Sequence, residues 1–240
     1  MAPVPPDVVK EFAPSGTLRA AINQGNSVLA QKGPDGEALG ITVDLARELG
    51  RQLGVPVDLV IFDAAGKAFD ALKSGRTDIG FLAIEPVRAA EVDFTAPYVL
   101  IEGTYMVPAD SPLKAVEDVD RPGIRIGVNK GSAYDLFLTR SLKHATLQRG
   151  DSGVDLFKSE KLDAAGGVRQ PLEAYARKDP SVRVLPGRFM AIQQAMGLPK
   201  GRVKAHAFLR GFVEEMKASG FCADALKRSN QPDAVVAPPG

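Results

Sequence analysis

One ten-residue pattern occurs twice in this chain and limits the folds that the chain can adopt. Leu18–Ser27 reads LRAAINQGNS and Ile124–Ala133 reads IRIGVNKGSA. Each copy has an apolar residue at its first, third and fifth positions, followed by Asn, one variable residue and Gly. A second pattern follows each copy in the same order, LKSGRTD at Leu72–Asp78 and FKSEKLD at Phe157–Asp163. Coincidence between short segments would explain one match, but two matches in the same order favour two similar units.

The residues from the first copy onward alternate between strand-like and helix-like patterns. Leu45, Leu49 and Leu53 recur four residues apart, as on one face of a helix. The segment before them alternates apolar residues and the segment after them is rich in β-branched residues, as strands are. The predicted elements are a strand at Leu18–Ile22, a helix at Ile41–Leu53, a strand at Val57–Phe62, a helix at Gly66–Lys73 and a strand at Asp78–Ile84. This β-α-β-α-β order is typical of a mainly parallel sheet with helices on its faces.

The same order starts again at the second copy. The predicted elements are a strand at Ile124–Val128, a helix at Ser132–Leu142, a short helix at Val154–Ser159, a strand near Asp163–Ala165 and a helix near Gln170–Arg177. A long amphipathic helix between Ala205 and Met216 follows, because its apolar residues are three and four positions apart. We expect the final segment, NQPDAVVAPPG, to be loosely held.

The Asn-x-Gly sequences mark the place where a ligand is expected. In parallel α/β units, ligands bind at the carboxyl ends of the strands. Asn23–Gly25 and Asn129–Gly131 follow the first strand of each unit. The sequence therefore predicts a ligand-binding rim in each unit, formed by the loops at the carboxyl ends of its strands. Two such rims that face each other would form a cleft.

Composition excludes several classes of protein. The net charge is +1 and the charges are interspersed, which argues against a nucleic-acid partner. No run of about 18 apolar residues occurs, so no membrane span is expected. The opening MAPVPPDVVKEFAPSG lacks the basic and apolar regions of a signal peptide. We therefore expect either a cytoplasmic chain or one from which a signal has been removed.

Cysteine and histidine are too scarce to support common catalytic and metal sites. Cys222 is the single cysteine, which excludes an internal disulfide and a cysteine-rich zinc site, and its apolar neighbours suggest a small core residue. His144 and His206 are the two histidines, and we expect both on the solvated surface. The sequence thus predicts no metal, no cofactor and no Ser-His-Asp centre.

The most specific segment is Asp78–Tyr98, DIGFLAIEPVRAAEVDFTAPY. Together with GTLRAAIN at Gly16–Asn23, GITVDLA at Gly40–Ala46, VDRPGIRIGVNKGS and GLPKG at Gly197–Gly201, it resembles the family 3 extracellular solute-binding proteins, the amino-acid-binding components of ABC importers. The resemblance extends over about residues 16 to 230, nearly the whole chain.

This resemblance implies a fold, a function and partners. The fold is a two-lobed, type II periplasmic-binding-protein-like α/β fold in which each lobe is a mainly parallel sheet flanked by helices. Lobe 1 would be residues 1–101 and 194–240, lobe 2 would be 102–193, and two hinge strands would join them at Val99–Tyr105 and Met190–Met196. The implied protein is a periplasmic monomer that closes on a small carboxylate ligand in the interlobe cleft and delivers it to a membrane permease.

By the same resemblance, Arg88 grips the α-carboxylate of the ligand. A guanidinium suits this role because it donates two parallel hydrogen bonds to one carboxylate. The alternative is a surface arginine paired with Glu91. In lobe 2, Ser132 and the backbone of Ala133 match the helix N-terminus that contacts the same carboxylate. Ser132 could equally be an ordinary N-cap.

Several departures from the family pattern concern the ammonium group of the ligand. Val168, after Gly167, stands where relatives place an acid that pairs with the ligand ammonium, and Asn23 stands where another acid is common. Ala83 replaces a threonine, and Ala65 or Gly66 replaces an aromatic platform. A buried ammonium without a carboxylate partner would be costly. We therefore expect a ligand with a carboxylate but no free α-ammonium.

Other polar residues could complete the ligand site. Asn23, Asn26 and Asn129 could bind neutral polar groups, while Glu102 and Gln193 at the crossovers could line the cleft. An inward-facing Glu102 would restore an ordinary amino acid as the ligand. Lys130 and Arg169 would favour a dicarboxylate or phosphorylated acid if they faced inward, and otherwise they would be solvated surface residues.

Two alternatives to a transport protein remain open at this point. The same fold hosts a dehydratase of cyclic carboxylates such as prephenate or arogenate, which would need Glu102 or Glu85 as a general acid with a raised pKa. A cytoplasmic or sensory ligand-binding domain is the other alternative.

Overall fold

The computed structural model describes residues 3–240, which form two compact units. Unit 1 consists of the described residues up to Leu100 together with Gln193–Gly240, and unit 2 is Ile101–Ile192. The lobe bounds expected from the resemblance differ from these unit bounds by one residue at each crossover.

The described part of the chain contains helices and strands that alternate along most of the sequence. The helices are α1 (Pro6–Phe12), α2 (Ile41–Leu53), α3 (Ala65–Lys73), α4 (Pro86–Ala89), α5 (Ala133–Ser141), α6 (Gly153–Ser159), α7 (Arg169–Ala176), α8 (Val203–Ala218) and α9 (Phe221–Arg228), with a 3₁₀ turn at Val116–Asp118. The strands are β1 (Leu18–Asn23), β2 (Gln31–Lys32), β3 (Ala38–Leu39), β4 (Val57–Phe62), β5 (Ile79–Ala83), β6 (Val92–Pro108), β7 (Arg125–Asn129), β8 (Thr146–Gly150), β9 (Ala164–Val168), β10 (Val182–Val184), β11 (Met190–Pro199) and β12 (Val235–Val236).

Unit 1 is built on a sheet in the order β4-β1-β5-β11-β6. Strand β1 pairs in parallel with β4 and β5, whereas β11 is antiparallel to β5. Helix α2 buries the predicted leucine stripe, Leu45, Leu49 and Leu53, and ends at Gly54 in the left-handed conformation. The predicted helix Ile41–Leu53 and strand Val57–Phe62 are confirmed.

Unit 2 has a sheet in the order β6-β9-β7-β8. Strand β7 pairs in parallel with β8 and β9, and β6 runs antiparallel to β9 and β10. Both units are thus mixed α/β structures with mainly parallel strands flanked by helices, as predicted. Strands β6 and β11 contribute residues to both units.

The repeated sequence pattern makes the same backbone connection in each unit. In unit 1, the N–H of Asp78 donates to the carbonyl of Arg19 at 2.7 Å, and the N–H of Arg19 donates to the Asp78 carboxylate at 3.1 Å. In unit 2, Asp163 and Arg125 exchange the equivalent bonds at 3.0 and 2.8 Å. The repeat therefore places an aspartate beside the second residue of the repeated pattern, Arg19 or Arg125, in both units.

The final segment is held in place, which corrects the expectation of a loose tail. Strand β12 pairs antiparallel with β6. The N–H of Ala237 donates to the carbonyl of Tyr98 at 3.0 Å, and Lys217 Nζ donates to the carbonyl of Pro238 at 2.9 Å. The expectation failed because the partners of this segment lie far from it in sequence.

Helices α1 and α9 and strand β8 were also missed by the sequence patterns. Within residues 3–240, none of the helices has the length and apolar composition that crossing a bilayer requires.

Candidate functional site

Arg88 lies in α4, the short helix that follows β5. Pro86 occupies the first turn of this helix, where its fixed φ angle and missing N–H are tolerated, and Glu85 is the residue before it. The Arg88 side chain turns back over the strand end, because its Nη1 donates to the carbonyl of Ala83 at 3.1 Å. Only 1% of Arg88 and 2% of Glu85 is exposed. A cation and an acid are therefore buried at the carboxyl end of β5.

The electrostatics of Arg88 follow from this burial. Desolvation lowers the pKa of Arg88 to about 10, and the nearby charge of Glu85 opposes the shift. Arg88 therefore remains a cation at neutral pH. The alternative of a surface arginine is wrong, since Arg88 is buried and Glu91 forms its ion pair with Lys73 at 3.2 Å.

The loop after β1 uses its two asparagines to hold itself. The Oδ1 atom of Asn23 accepts a hydrogen bond from the N–H of Gly25 at 2.9 Å, and that of Asn26 accepts from Val28 at 3.2 Å. A Cβ atom at position 25 would lie 2.3 Å from the carbonyl oxygen of Asp63, so only glycine fits there. The Asn23 and Asn26 oxygens are thus already engaged in unit 1.

Strand β11 brings two glutamines next to the end of β5. The N–H of Ile84 donates to the carbonyl of Gln193 at 2.9 Å, and Gln193 is exposed. Gln194 is the register partner of Ala83 and is 5% exposed. The sequence reading singled out Gln193 and missed Gln194, although alternation along β11 would have shown that the two glutamines face opposite sides.

In unit 2, the first strand also ends in an asparagine with a structural hydrogen bond. Asn129 ends β7, and its Oδ1 atom accepts from the N–H of Gly153 at 2.8 Å. The Asn129 side chain therefore links the end of β7 to the start of α6, whereas the Asn23 side chain accepts a hydrogen bond from its own loop.

The start of α5 is capped from within the chain. Ser132 is the N-cap, since its Oγ accepts from the N–H of Asp135 at 3.1 Å, and Ala133 is the first residue of the helix. The buried Asp135 carboxylate accepts from the N–H of Gly131 at 2.8 Å and pairs with Arg149 at 2.8 Å. Ser132 therefore has the ordinary N-cap role, and the helix start already carries one carboxylate.

Glu102 is bound by two arginines of its own unit. Its carboxylate lies 2.7 Å from Arg169 Nε and 3.0 Å from Arg188 Nη1. The hydrogen bond from Arg169 is the main cause that lowers the pKa of Glu102. The shift is opposite to the one that a general acid needs. The expectation of a solvated Arg169 is also wrong, because this side chain is in an ion pair, whereas Lys130 is exposed.

Gly167 and Val168 end β9 beside this cluster. Both are buried, and Val168 pairs with Gly103, the neighbour of Glu102, across β6 and β9. In each unit, the predicted site residues therefore gather at one edge of the sheet, where the parallel strands end. The predicted site residues of unit 1 are Asn23, Asn26, Ala83, Arg88 and Gln193, and those of unit 2 are Glu102, Asn129, Ser132, Ala133, Gly167 and Val168.

Among residues 3–240, the remaining titratable groups form no metal site. No group of three or more His, Cys, Asp or Glu side chains arranged to hold a metal occurs in the described residues. Cys222 is buried, and burial raises the pKa of its thiol to about 12, as suits a core residue. His206 is half-buried with its Nε2 atom 2.8 Å from the carbonyl oxygen of Phe94, which corrects the expectation of a solvated histidine.

The fold is a mixed α/β fold of two units, and comparison with known proteins assigns its family. The sequence profile of the bacterial extracellular solute-binding proteins, family 3, matches residues 18–229. The chain belongs to this family.

Individual relatives are distant but cover much of the chain. The L-cystine-binding protein of Escherichia coli K12 is 21% identical over 229 residues, which are 88% of this chain and 85% of that protein. A cyclohexadienyl dehydratase of Pseudomonas aeruginosa is 26% identical over 153 residues, 60% of this chain and 55% of that protein. The structure of a Neisseria gonorrhoeae solute receptor for L-cysteine superposes with a TM-score of 0.80 at 24% identity, covering 93% and 94% of the two chains. The structural likeness establishes the fold.

Proposed function

We propose that this solute-binding protein binds a small carboxylate-bearing ligand, an amino acid or related organic acid, through Arg88. The observation that carries the proposal is a cationic guanidinium buried at the carboxyl end of β5, with one Nη atom on the Ala83 carbonyl. Burying a cation is costly unless anions and hydrogen-bond acceptors surround it. A ligand carboxylate at this guanidinium would add a partner of opposite charge that can accept two parallel hydrogen bonds.

The proposal includes the transport role of the family. The protein would act in the periplasm, close by a hinge on its ligand and present the closed form to an ABC importer permease. Small-angle X-ray scattering with and without ligand would test the closure. The contacts predicted for unit 2, Asn129, Ser132, Ala133, Gly167 and Val168, stay predictions.

The charges of the described side chains favour an acid without a free ammonium. By the sequence resemblance, Val168 stands where the family places an acid, and Glu102 is held by two arginines. Glu85 is buried beside Arg88 and its charge raises the pKa of Arg88, so a ligand ammonium would compete with Arg88 for this carboxylate.

The proposal is tested by calorimetry with common α-amino acids and small carboxylic acids. For any acid that binds, Arg88→Ala should weaken affinity by about 2–5 kcal/mol, roughly thirty-fold or more, because a buried charged hydrogen bond is lost. Arg76→Ala is the matched control, since Arg76 is an exposed arginine of the same unit. Unchanged affinity of the Arg88 variant would refute the role of the guanidinium.

A dehydratase is the second candidate, and two observations favour it. The chain is similar to a cyclohexadienyl dehydratase, and Glu85 places a buried carboxyl group beside Arg88. Glu102 is a poor general acid because Arg169 lowers its pKa. Formation of phenylpyruvate from prephenate, lost in Glu85→Gln, would establish this activity. Stoichiometric binding without turnover of prephenate or arogenate would exclude it.

A further inference from the structure

Gln194 presents a buried hydrogen-bond acceptor at the same strand end as Arg88. Its Oε1 atom is buried, and none of residues 3–240 donates a hydrogen bond to it. Buried polar atoms nearly always have a partner, and an unpaired acceptor destabilises the fold. The N–H of Ile84 bonds to Gln193, so Ala83 and Gln194 form the adjacent, non-hydrogen-bonded pair, in which side chains lie closest.

The position of Gln194 separates it from other buried polar atoms without a partner. Among the described residues, Thr77 Oγ1, Tyr98 OH and Gln170 Oε1 share this property, and Glu214 Oε1 has only the ion pair with Lys217. Gln170 lies in α7 of unit 2. Thr77 lies before β5, at the opposite end of the strand from Arg88. Tyr98 packs edge-on against Phe81, within the apolar core. Gln194, in contrast, is paired with Ala83, whose carbonyl oxygen accepts a hydrogen bond from the Arg88 guanidinium.

We propose that Gln194 is a ligand-binding residue whose Oε1 accepts a hydrogen bond from a neutral donor on the ligand. The inference rests on the proposed function, because it assumes that Arg88 binds the carboxylate of the same ligand. It also narrows the ligand class to organic acids that carry a hydroxyl or amide N–H, of which a 2-hydroxy acid is the simplest.

A neutral donor fits this acceptor better than an ammonium does. An amide oxygen accepts a hydrogen bond but does not neutralise a buried positive charge. The two acids considered for the site already interact with arginines of their own units, Glu85 with Arg88 in unit 1 and Glu102 with Arg169 in unit 2. Specificity for a hydroxyl over an ammonium would therefore arise from an amide side chain in place of an acid.

The experiment compares matched acids by calorimetry with the full chain. Each set has one carbon skeleton: lactate, propionate and alanine; phenyllactate, 3-phenylpropanoate and phenylalanine; malate, succinate and aspartate. In at least one set, the hydroxy acid should bind about three- to tenfold more tightly than the deoxy acid, as one hydrogen bond to a buried acceptor predicts. The amino acid of that set should bind more weakly than the hydroxy acid.

Three variants assign the preference to Gln194. Gln194→Met should make the hydroxy and deoxy acids equal, and Gln194→Glu should shift the preference toward the amino acid, because it adds a negative charge. Thr77→Val is the control, since it removes another unpaired buried oxygen at the far end of β5 and should leave all affinities unchanged. If Gln194→Met fails to fold, Gln194→Glu still reports through the reversed preference.

The outcomes distinguish this inference from the proposed function. If Arg88→Ala weakens the acids but Gln194→Met leaves the hydroxyl preference intact, the role of Gln194 is refuted and the carboxylate site stands. An amino acid that binds the unchanged protein more tightly than its hydroxy analogue also overturns the inference alone. If none of the acids binds, or if Arg88→Ala has no effect, both the proposed ligand class and this inference fail.

Discussion

The Arg19–Asp78 and Arg125–Asp163 pairs occupy equivalent places in the two units but differ in burial. Asp78 is completely buried, and its carboxylate lies 2.8 Å from Arg19 Nε and 3.1 Å from Arg202 Nη1. The Asp163 side chain is 40% exposed and lies 3.8 Å from Arg125 Nε. The backbone bonds are the same, so the repeated pattern accounts for the local connection and not for the burial of the charge.

The difference arises from a segment that unit 1 has and unit 2 lacks. Arg202 precedes α8, which belongs to the part of the chain that returns to unit 1 after β11. This arginine supplies the second partner of Asp78. A short sequence repeat can therefore form a surface ion pair in one place and a buried one in another, depending on which distant segment covers it.

The largest effect is expected for Asp78→Asn. The change keeps the shape of the side chain but leaves two arginines without their carboxylate, and breaking a buried pair costs about 3–5 kcal/mol. Because both arginines are partly exposed, we expect a loss near the lower end of this range, about 3 kcal/mol in the free energy of unfolding. Urea denaturation measures it. A loss below about 1 kcal/mol would show that the burial of this pair contributes little.

A smaller effect is expected for the buried carboxylate of unit 2, Asp135. Asp135→Ala removes the hydrogen bond to Gly131 and the ion pair with Arg149, so we expect a loss of about 2 kcal/mol in unfolding free energy. Asp155→Ala is a matched control, because Asp155 follows the N-cap of α6 by the same three residues and is exposed. Equal losses in the two variants would contradict the importance of burial.

The C-terminal segment gives a third test of what unit 1 gains from its returning chain. The Lys217 side chain is 5% exposed; its Nζ atom donates to the carbonyls of Pro97 and Pro238 and lies 2.7 Å from Glu214. Lys217→Met keeps the apolar stem but loses these bonds, so we expect a loss of about 1 kcal/mol and faster hydrogen exchange near β12. Unchanged exchange there would show that strand pairing alone holds the segment.

These cases show which parts of the fold could be predicted from sequence. Helix Ile41–Leu53 and strand Val57–Phe62 could be predicted from local patterns of apolar residues, because each element packs one of its faces against its own unit. The two units follow from the repeat. Strand β12 could not be predicted, because a two-residue strand has no pattern of its own and depends on β6, far away in sequence.

The candidate site was less predictable than the fold. Arg88 stands in a specific motif, so its position at a strand end could be expected. The ion pairs of Glu102 could not be predicted, since its partners, Arg169 and Arg188, are distant in sequence. Gln194 was overlooked because adjacent glutamines look alike until the register of β11 decides which one is buried.

The smallest effect is expected for Asp163→Asn, the counterpart of Asp78→Asn. Exposed ion pairs contribute about 0–1 kcal/mol, and asparagine keeps an oxygen that can accept the N–H of Arg125. We expect a loss of less than 1 kcal/mol in unfolding free energy, which shrinks further in high salt because exposed charges are screened. Denaturation at low and high salt, in parallel with Asp78→Asn, measures both. If the two substitutions proved equally destabilising, burial by the returning segment would not explain the difference between the units, and the shared backbone connection would carry the stability in both.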